Sequence, residues 1–443
     1  MSDLPPGWAA GTLSDLIGPD GLFTDGDWVE TKDQDAEGTV RLTQLADVGE
    51  GRFRDRSQRY MREDQAERLH CTYLAGGDIL VARMPDPLGR ACLFPGLPQP
   101  AVTAVDVCIV RPGERSVDSK WLMWAINAPP FRARVEALQT GTTRKRISRK
   151  NLAAIQLPLP PLAEQRRIVA AIEEQFSRLD DAERSISDAK TRISVLRGAA
   201  TREAFDAEYP LLPLVELTAQ DRPICYGILM PKEHVANGVS YIRVRDFPKD
   251  KIDIASLRRT TREIAEKYRR STLRAGDVLV SIRGTFGRVA VVPDELTGAN
   301  ITQDTARVSP GAQIDGGYLA AYLRSEPAQR FFRSVARGVA VKGVNIGDLK
   351  QLPVPMPPLD EQRRIVAEVE QQLSLIDSLR TAVESAQKRS AALRRAILER
   401  AFRGELVPQD PADEPASVLL DRIRGERAAA PRPSRRRATM EAS

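Results

Sequence analysis

The chain has 443 residues, 42% of them hydrophobic and 28% charged, which is enough for several domains with cores of their own. No stretch approaches about 18 uninterrupted apolar residues, and the start MSDLPPGW is neither basic nor apolar, so we expect no export, no membrane span and a cytoplasmic location. The net charge of +6 is compatible with a nucleic-acid partner but does not establish one.

One string of the sequence occurs twice. PPLAEQRRIVA at residues 160–170 returns as PPLDEQRRIVA at residues 357–367, an offset of 197, and only Ala163 against Asp360 differs. A repeat of this length is a whole domain with its connector, not a solenoid unit, and it predicts a pseudo-twofold axis. That symmetry suits a partner that is itself repetitive, such as double-stranded DNA.

The first predicted domain covers residues 1–158. Strand-like runs such as DILVA and VDVCIV, bounded by glycine and proline, are followed by short helical stretches, which favours an α/β domain with an irregular sheet. The strand GDILVAR ends at Arg83, and further basic residues follow it. A glycine-containing loop lets the backbone come close to a ligand. Arginine and lysine side chains on such a loop can bind phosphates or guanine edges. The candidate DNA contacts in this domain are Arg83, Arg90, Arg144, Lys145 and Arg146.

Two catalytic patterns in the first domain are weak. Asp20, Glu30 and Lys32 superficially match the carboxylates and lysine of metal-dependent nucleases, but the second half of the chain has no counterpart. NAPPF at residues 127–131 resembles an amino-methyltransferase motif, interrupted by alanine and without a glycine-rich cofactor loop.

The cysteines give no sign of a metal site. Four cysteines without a CxxC pair, and only two histidines, predict reduced and mostly buried thiols and no zinc site.

A long helix is predicted next, within residues 159–208. It begins after a proline pair, with Glu164 near the positive end of the helix dipole, and apolar or small residues recur at steps of seven. A second row of small or apolar residues lies three positions further on. The predicted packing residues are Ile172, Leu179, Ile186 and Ile193.

The second α/β domain is predicted at residues 209–355. Its strand GDVLVSIR ends at Arg283, and Gly338-x-x-x-Lys342 lies 197 residues after Gly141-x-x-x-Lys145. The sequences between these points are mostly unrelated, so one part of each copy is held constant while another varies. The candidate DNA contacts in this domain are Arg243, Arg283, Arg288 and Lys342.

The second long helix is predicted at residues 356–404, and a largely disordered tail at residues 405–443. In this helix a second row, formed by Leu379, Ala386 and Leu393, accompanies the apolar residues that recur at steps of seven. An isolated helix of this length leaves its apolar stripe wet, so we expect the two helices to pair antiparallel; pairing between two chains remains an alternative. The predicted packing residues are Val369, Ile376, Val383 and Leu393.

Two proline-proline-leucine-x-glutamate-glutamine strings, each opening a long helix behind a divergent α/β domain, resemble the specificity (S) subunit of type I DNA restriction-modification systems. The resemblance covers most of the chain. It implies two target-recognition domains that each read one half of a bipartite sequence, separated by paired helices that set the spacing. No base contact carries over residue by residue.

The resemblance also implies partners. Double-stranded DNA, two methyltransferase (M) subunits and, through the complex, the restriction and translocase (R) subunits are expected, with no membrane contact. The S subunit would be non-catalytic and bind no cofactor itself, since S-adenosylmethionine, ATP and Mg²⁺ serve the partner subunits. Three alternatives stay open: an S-like subunit of a related multisubunit system, a metal-dependent nuclease, and a coiled-coil scaffold with no DNA role.

Overall fold

The structure is a computed structural model that describes residues 4–142, 144–205, 209–248, 251–338 and 341–429. It divides into unit 1, Met1–Arg184 with Gln387–Ser443, and unit 2, Ser185–Ala386. Each unit contains one α/β domain and part of both long helices. Among the described helices, none combines the length and apolarity needed to cross a bilayer.

In its described residues the first domain contains nine short strands and four short α-helices, and the first long helix follows. The strands are β1 (Ala9–Thr12), β2 (Leu22–Asp25), β3 (Val40–Thr43), β4 (Tyr60–Met61), β5 (Ile79–Ala82), β6 (Ala91–Leu93), β7 (Ala101–Thr103), β8 (Val107–Arg111) and β9 (Gln156–Leu159). The helices are α1 (Glu63–Arg68), α2 (Ser119–Asn127), α3 (Pro129–Ala137), α4 (Arg149–Ala153) and the long α5 (Leu162–Glu203).

The described part of the second domain has the same number of strands and short α-helices. The strands are β10 (Leu211–Pro213), β11 (Cys225–Tyr226), β12 (Val239–Ile242), β13 (Arg258–Thr260), β14 (Val278–Ser281), β15 (Val289–Val291), β16 (Asn300–Ile301), β17 (Thr305–Val308) and β18 (Pro353–Pro355). The helices are α6 (Arg262–Lys267), α7 (Gly316–Arg324), α8 (Glu326–Val335), α9 (Ile346–Lys350), the long α10 (Leu359–Ala401) and, back in unit 1, α11 (Ala416–Ala429).

The two domains share one sheet topology. The four-stranded sheet runs β2-β8-β5-β6 in the first domain and β11-β17-β14-β15 in the second. The three-stranded sheets run β4-β3-β7 and β13-β12-β16, and in each the middle strand pairs antiparallel with one neighbour and parallel with the other. The fold class predicted from the sequence, two α/β domains with irregular sheets and two long packed helices, is confirmed.

The central strands β5 and β14 are apolar because both of their faces are covered. In β5, Ile79 and Val81 belong to the large core that includes α2, whereas Leu80 packs in a smaller cluster on the other face. In β14, Val278 and Leu279 divide in the same way. A strand buried on both faces reads as a continuous apolar run, not as an alternation.

The repeated glutamine at the start of each long helix ties that helix to its domain. The Gln165 side chain accepts a hydrogen bond from the Asp118 backbone N–H at 2.9 Å and donates to the Pro160 carbonyl at 3.0 Å. Gln362 makes the equivalent bonds with Asp315 and Pro357, at 2.8 and 2.9 Å. Since both glutamines are fully buried, the constant string is explained by folding.

Glu164 is also held by a side chain, not only by the helix dipole. It is buried and accepts a hydrogen bond from Trp8 Nε1 at 3.0 Å. Burial raises the pKa of its carboxyl, and the bond from Trp8 opposes that shift. In α10 the corresponding Glu361 accepts a bond from the Tyr209 hydroxyl at 3.2 Å, so each long helix begins against an aromatic residue of its own unit.

The two long helices pack antiparallel in both units, as predicted. In unit 1, Glu183 of α5 accepts hydrogen bonds from Ser390 at 2.8 Å and from Arg394 at 3.0 Å, and the Arg394 guanidinium lies 4.9 Å from the Phe176 ring centroid. Earlier residues of α5 therefore meet later residues of α10.

In unit 2 the same order holds. Arg197 Nη1 lies 3.2 Å from Asp377 Oδ1, and Phe205, beyond the end of α5, packs in one cluster with Ile365 and Val369 near the start of α10. Both contacts are made within a single chain, which makes dimerisation unnecessary for covering the apolar stripes.

The first heptad row is in the predicted place, and the second is so only in the middle of the two helices, where Ala189 and Ala386 are half-buried. Ile172, Val369 and Ile376 are buried, while Leu179, Ile186, Ile193 and Val383 are half-buried. The prediction for Leu393 is wrong, because that side chain is 52% exposed. Elsewhere the second row lies four residues after the first, at positions such as Phe176, Glu183 and Arg394, because 3.6 residues per turn leaves both spacings beside the seam.

The prediction that the chain is largely disordered from residue 405 is wrong as far as residue 429. Helix α11 buries Ala416, Leu419, Leu420 and Ile423 in the core of the first domain. Polar contacts reinforce this packing: Ala416 N–H donates to the Gly7 carbonyl at 2.8 Å. Residues 430–443 lie outside the described residues.

All four cysteines are free, and three of them are buried. Burial raises the pKa of the Cys92 thiol to about 12 and that of Cys71 to about 11. The expectation of unpaired, mostly buried thiols is therefore confirmed.

Candidate nucleic-acid interface

Each domain carries the same closed basic loop. In the first domain the backbones of Thr140 and Arg146 exchange two hydrogen bonds, at 2.8 and 2.9 Å, across the loop between them. In the second domain Arg337 and Gly343 do the same, both at 2.9 Å, and the offset is again 197 residues. We call residues 140–146 and 337–343 the reading loops; Thr143, Val339 and Ala340 lie outside the described residues.

The glycine of each Gly-x-x-x-Lys pattern makes the loop possible. Gly141 has a φ of +93° and Gly338 a φ of +120°, a region that other residues rarely adopt. A Cβ at either position would also collide with a carbonyl oxygen inside its own loop, that of Arg144 or that of Val341. The repeated glycine is thus required by backbone geometry.

The basic side chains of the reading loops point into solvent. Arg144, Lys145 and Arg146 in the first loop and Lys342 in the second are exposed. Within the described ranges none of these four forms an ion pair with a carboxylate. A free, exposed cation on a tight loop is suited to contact a phosphate, since pairing with a phosphate then displaces no existing partner.

The reading loops hang from the ends of the central strands, and this connection corrects one predicted match. Ile147 N–H donates to the Arg83 carbonyl at 3.1 Å, whereas Val344 N–H donates to the Ile282 carbonyl at 2.8 Å. Arg83 therefore corresponds to Ile282 and not to Arg283, which lies one residue further on and is exposed.

Arg83 is used inside the domain. Its Nη1 lies 2.6 Å from Asp25 Oδ1, and its Nε donates to the Ile147 carbonyl at 3.1 Å. It thereby fixes the base of the first reading loop against the end of β2. Its expected role is positional, not that of a direct DNA contact.

The prediction that Arg90 contacts DNA is wrong. The residue is 4% exposed, and its guanidinium donates to three backbone carbonyls, those of Val48, Leu45 and Pro87, at 2.6–2.8 Å. Burial lowers the pKa of this arginine. The side chain holds the turn after β3 against the central hairpin.

Arg288 and Arg243 are likewise engaged within the second domain. Arg288 is half-buried, and its Nη1 donates to the Val244 carbonyl at 3.1 Å, in the turn that follows β12. Arg243 binds Asp246 through Nε at 2.8 Å and Nη2 at 2.7 Å. Of the predicted DNA contacts, exposure leaves Arg144, Lys145, Arg146, Arg283 and Lys342 available.

An exposed apolar side chain lies beyond the same sheet edge in each domain, and sequence reasoning missed it. Gly26 follows β2, and the backbone of the next residue, Asp27, hydrogen-bonds to the neighbouring three-stranded sheet. Gly227 follows β11, and the backbone of Ile228 makes the equivalent hydrogen bond in the second domain. The next residue is Trp28, 70% exposed, in one domain and Leu229 in the other.

These tips share an edge with the reading loops. Strands β2 and β5 both pair antiparallel with β8, so their carboxyl ends lie at one edge, and in the second domain β11 and β14 pair in the same way with β17. Trp28 follows the end of β2 and the first reading loop is bonded to the end of β5. An exposed tryptophan at the same sheet edge as exposed cations is typical of a nucleic-acid-binding surface.

The nuclease pattern is not assembled into a site. Asp20 accepts a hydrogen bond from the Glu114 backbone N–H at 3.0 Å, while Glu30 and Lys32 pair with each other at 2.8 Å on the surface. Within the described part of the chain no group of three or more His, Cys, Asp or Glu side chains is placed to hold a metal ion. The geometry therefore gives no support to metal-dependent hydrolysis by these residues.

Two copies of one basic loop and one exposed apolar tip, on two domains of one topology, are the features expected of a protein that binds nucleic acid at two places. The family model described as "Type I restriction modification DNA specificity domain" matches residues 31–188 and 231–385. The chain belongs to this family, which comprises non-catalytic DNA-recognition subunits.

Among curated relatives, the specificity subunit of the type I restriction enzyme EcoBI from Escherichia coli is 31% identical over 365 residues, 75% of this chain and 76% of the relative. That of EcoKI from Escherichia coli strain K12 is 24% identical over 355 residues, covering 72% and 74%. The two matches of the family model fall one in each half of the repeat.

Solved structures have the same fold. A chain from a study of complex assembly and conformational transition of the type I R-M system has a TM-score of 0.72 at 22% identity, over 91% of this chain and all of that one. The HsdS subunit from Thermoanaerobacter tengcongensis has a TM-score of 0.55 at 21% identity, covering 91% and 98%.

Proposed function

We propose that this chain reads a bipartite DNA sequence, one half-site with each α/β domain, inside a complex with two methyltransferase subunits and, through them, restriction subunits. One observation carries the proposal: the same loop closure, glycine and free lysine recur in two domains whose other sequences have diverged. Two different half-sites require the same contacts to the phosphate backbone but different contacts to the bases, which fits a constant loop on a variable domain.

The long helices α5 and α10 are proposed to set the distance between the half-sites, because each is a continuous helix with residues in both units. Several large apolar side chains on these helices remain exposed: Val195, Leu196, Leu375, Leu379 and Leu393. Exposed apolar residues at this density favour partner docking, and we assign it to the methyltransferase subunits.

S-adenosylmethionine, ATP and Mg²⁺ are proposed to be bound and used by the partner subunits. This chain is proposed to supply the DNA sequence recognition and to bind none of them. Because its proposed target is chromosomal DNA, we propose that the assembly acts in the cytoplasm. An S-like subunit of a related multisubunit system is the nearest different assignment, and the identity of the copurifying subunits distinguishes the two.

We expect Lys342→Ala to weaken binding of the assembled complex to its target duplex by about three- to tenfold and to lower the salt-dependence slope by about one, because one phosphate contact is lost. Lys145→Ala is expected to act alike in the first domain. Fluorescence anisotropy over a range of salt concentrations measures both. The control is Lys267→Ala, which removes an exposed lysine on α6. An unchanged slope in both loop variants contradicts the phosphate assignment.

Trp28→Ala should relax recognition of a single half-site, since the tip belongs to the first domain only. On duplexes altered in one half at a time, we expect about tenfold less discrimination in one half and none lost in the other, as for loss of an apolar base contact. Leu229→Ala should affect the opposite half. Methylation rates measure the effect, and equal changes in both halves would exclude base reading by this residue. Val291→Ala, a partly exposed strand position, is the control.

A further inference from the structure

The second domain contains a cavity of about 170 Å³ with an unusual lining. Five arginines surround it: Arg222, Arg269, Arg270, Arg274 and Arg307. One acidic side chain, Asp221, lies among the lining residues. Like charges held around one small cavity repel each other, so the arrangement needs compensation from carboxylates or from a bound anion.

Carboxylates compensate three of the five arginines. Two of these carboxylates lie outside the lining. The pairs are Arg222 with Asp277 at 2.6 Å, Arg269 with Glu266 at 3.6 Å, and Arg274 with Asp221 at 3.9 Å. Arg270 and Arg307 have no carboxylate within ion-pair distance in the described ranges, which leaves the cavity wall with two unbalanced cations.

Arg307 is the more constrained of the two. The residue is 2% exposed and lies in the middle of β17. Its Nη1 donates to the Arg270 carbonyl at 2.8 Å and its Nη2 to the Pro223 carbonyl at 2.9 Å, but its buried Nε has no hydrogen-bond partner. Carbonyl dipoles offset only part of the cost of burying a full charge, and an anion would offset more.

Arg270 lines the same cavity as Arg307 but, unlike Arg307, is exposed. Its backbone carbonyl holds Arg307, while its own side chain is exposed and lines the cavity. Both residues line the cavity, and the hydrogen bond from Arg307 to the Arg270 carbonyl links them, so the two guanidinium groups are available to one bound group. Two guanidinium groups carry enough positive charge to neutralise a phosphate group and can donate hydrogen bonds to its oxygens.

The first domain shows that the sheet does not need this arginine. Arg307 is the partner of Leu279 in the β14–β17 ladder, and the equivalent partner of Leu80 in the β5–β8 ladder is Ile109, which is buried. An isoleucine therefore fills the same sheet position in a domain of the same topology. The sheet itself therefore does not require an arginine at this position of the second domain.

We propose that this cavity is an oxyanion site of the second domain, in which Arg270 and Arg307 bind a phosphate group. The group is either a phosphodiester of bound duplex or a free inorganic phosphate, because both present the same tetrahedral oxygens. The site itself stands whether or not the chain reads a bipartite target.

The test uses the full-length chain with inorganic phosphate as the probe in isothermal titration calorimetry. Arg270→Ala should reduce phosphate affinity at least about tenfold, and Arg270→Lys less, because the charge is kept and the planar fork is lost. Arg262→Ala, an exposed arginine eight residues earlier, is the matched control and should bind as the unaltered protein does. Arg307→Ile, with the residue found in the first domain, should keep the fold by circular dichroism and abolish binding.

Duplex binding by the complex with its methyltransferase partner separates the two sources. If the group is a backbone phosphate, Arg270→Ala lowers the salt-dependence slope by about one and Arg262→Ala does not. If it is free phosphate, the slope stays the same while phosphate binding is lost. The proposal is overturned if Arg270→Ala changes neither phosphate affinity nor the slope.

Discussion

Replacing Leu419 and Leu420 together by alanine is expected to destabilise unit 1 by about 4 kcal/mol or more. Both side chains lie in the core of the first domain, and each buried leucine lost to alanine costs about 2–5 kcal/mol through transfer and cavity terms. Urea unfolding followed by tryptophan fluorescence measures this directly. All four tryptophans, Trp8, Trp28, Trp121 and Trp124, lie in unit 1.

The matched control is Val418→Ala on the same helix. Val418 is exposed, so its replacement should change the free energy of unfolding by less than about 0.5 kcal/mol. A double variant as stable as this control would mean that α11 does not pack on the first domain, and the assignment of a structural role to residues 416–429 would be lost.

Gln165→Leu is expected to cost unit 1 about 3 kcal/mol. Leucine has a similar volume but leaves the Asp118 N–H and the Pro160 carbonyl without the partners that the amide supplied, and each unpaired buried group costs about 1–3 kcal/mol. The control is Gln175→Leu, on the same helix, because no side-chain hydrogen bond to that glutamine is present within the described ranges.

Gln362→Leu provides an internal comparison in unit 2. The two equivalent bonds and a third, from Gln362 to the Gln313 carbonyl at 3.2 Å, are lost there. The loss of stability should therefore appear in the far-ultraviolet circular dichroism transition and not in tryptophan fluorescence. A small, equal effect of all three glutamine variants would contradict the conclusion that the repeated string is a folding element.

The architecture was predictable because its signals are long or duplicated. A heptad row sustained over each long helix, and a string repeated at an offset of 197, do not depend on any single residue. The α/β domains followed from apolar runs such as DILVA and VLVSI, which correspond to β5 and β14. These are buried on both faces, so their apolar character survives divergence.

Errors arose where one residue decides the outcome. Whether the second heptad row lies three or four positions after the first changes Leu393 from buried to exposed, and the sequence favours neither. Arg83 and Arg283 end similar strands, but the hydrogen bonds of the reading loops show that they are offset by one residue. Nothing in the sequence around Arg90 indicates that its side chain binds three backbone carbonyls.

Helix α11 was missed although its signal is present. Ala416, Leu419, Leu420 and Ile423 stand at the i, i+3, i+4 and i+7 spacing of an amphipathic helix, but the basic, proline-containing end PRPSRRR governed the interpretation of the whole tail. The exposure of Trp28 could not be derived, because a tryptophan in sequence is more often part of a core.

The most direct measurement of bipartite recognition is the methylated-base map of the host genome with and without this gene, and with the Lys342→Ala and Trp28→Ala forms. The account predicts one motif of two short specific halves around an unread gap, absent after deletion and degenerate in a single half in the Trp28→Ala form. A lost motif that is continuous, or a methylation map that deletion leaves unchanged, would contradict it.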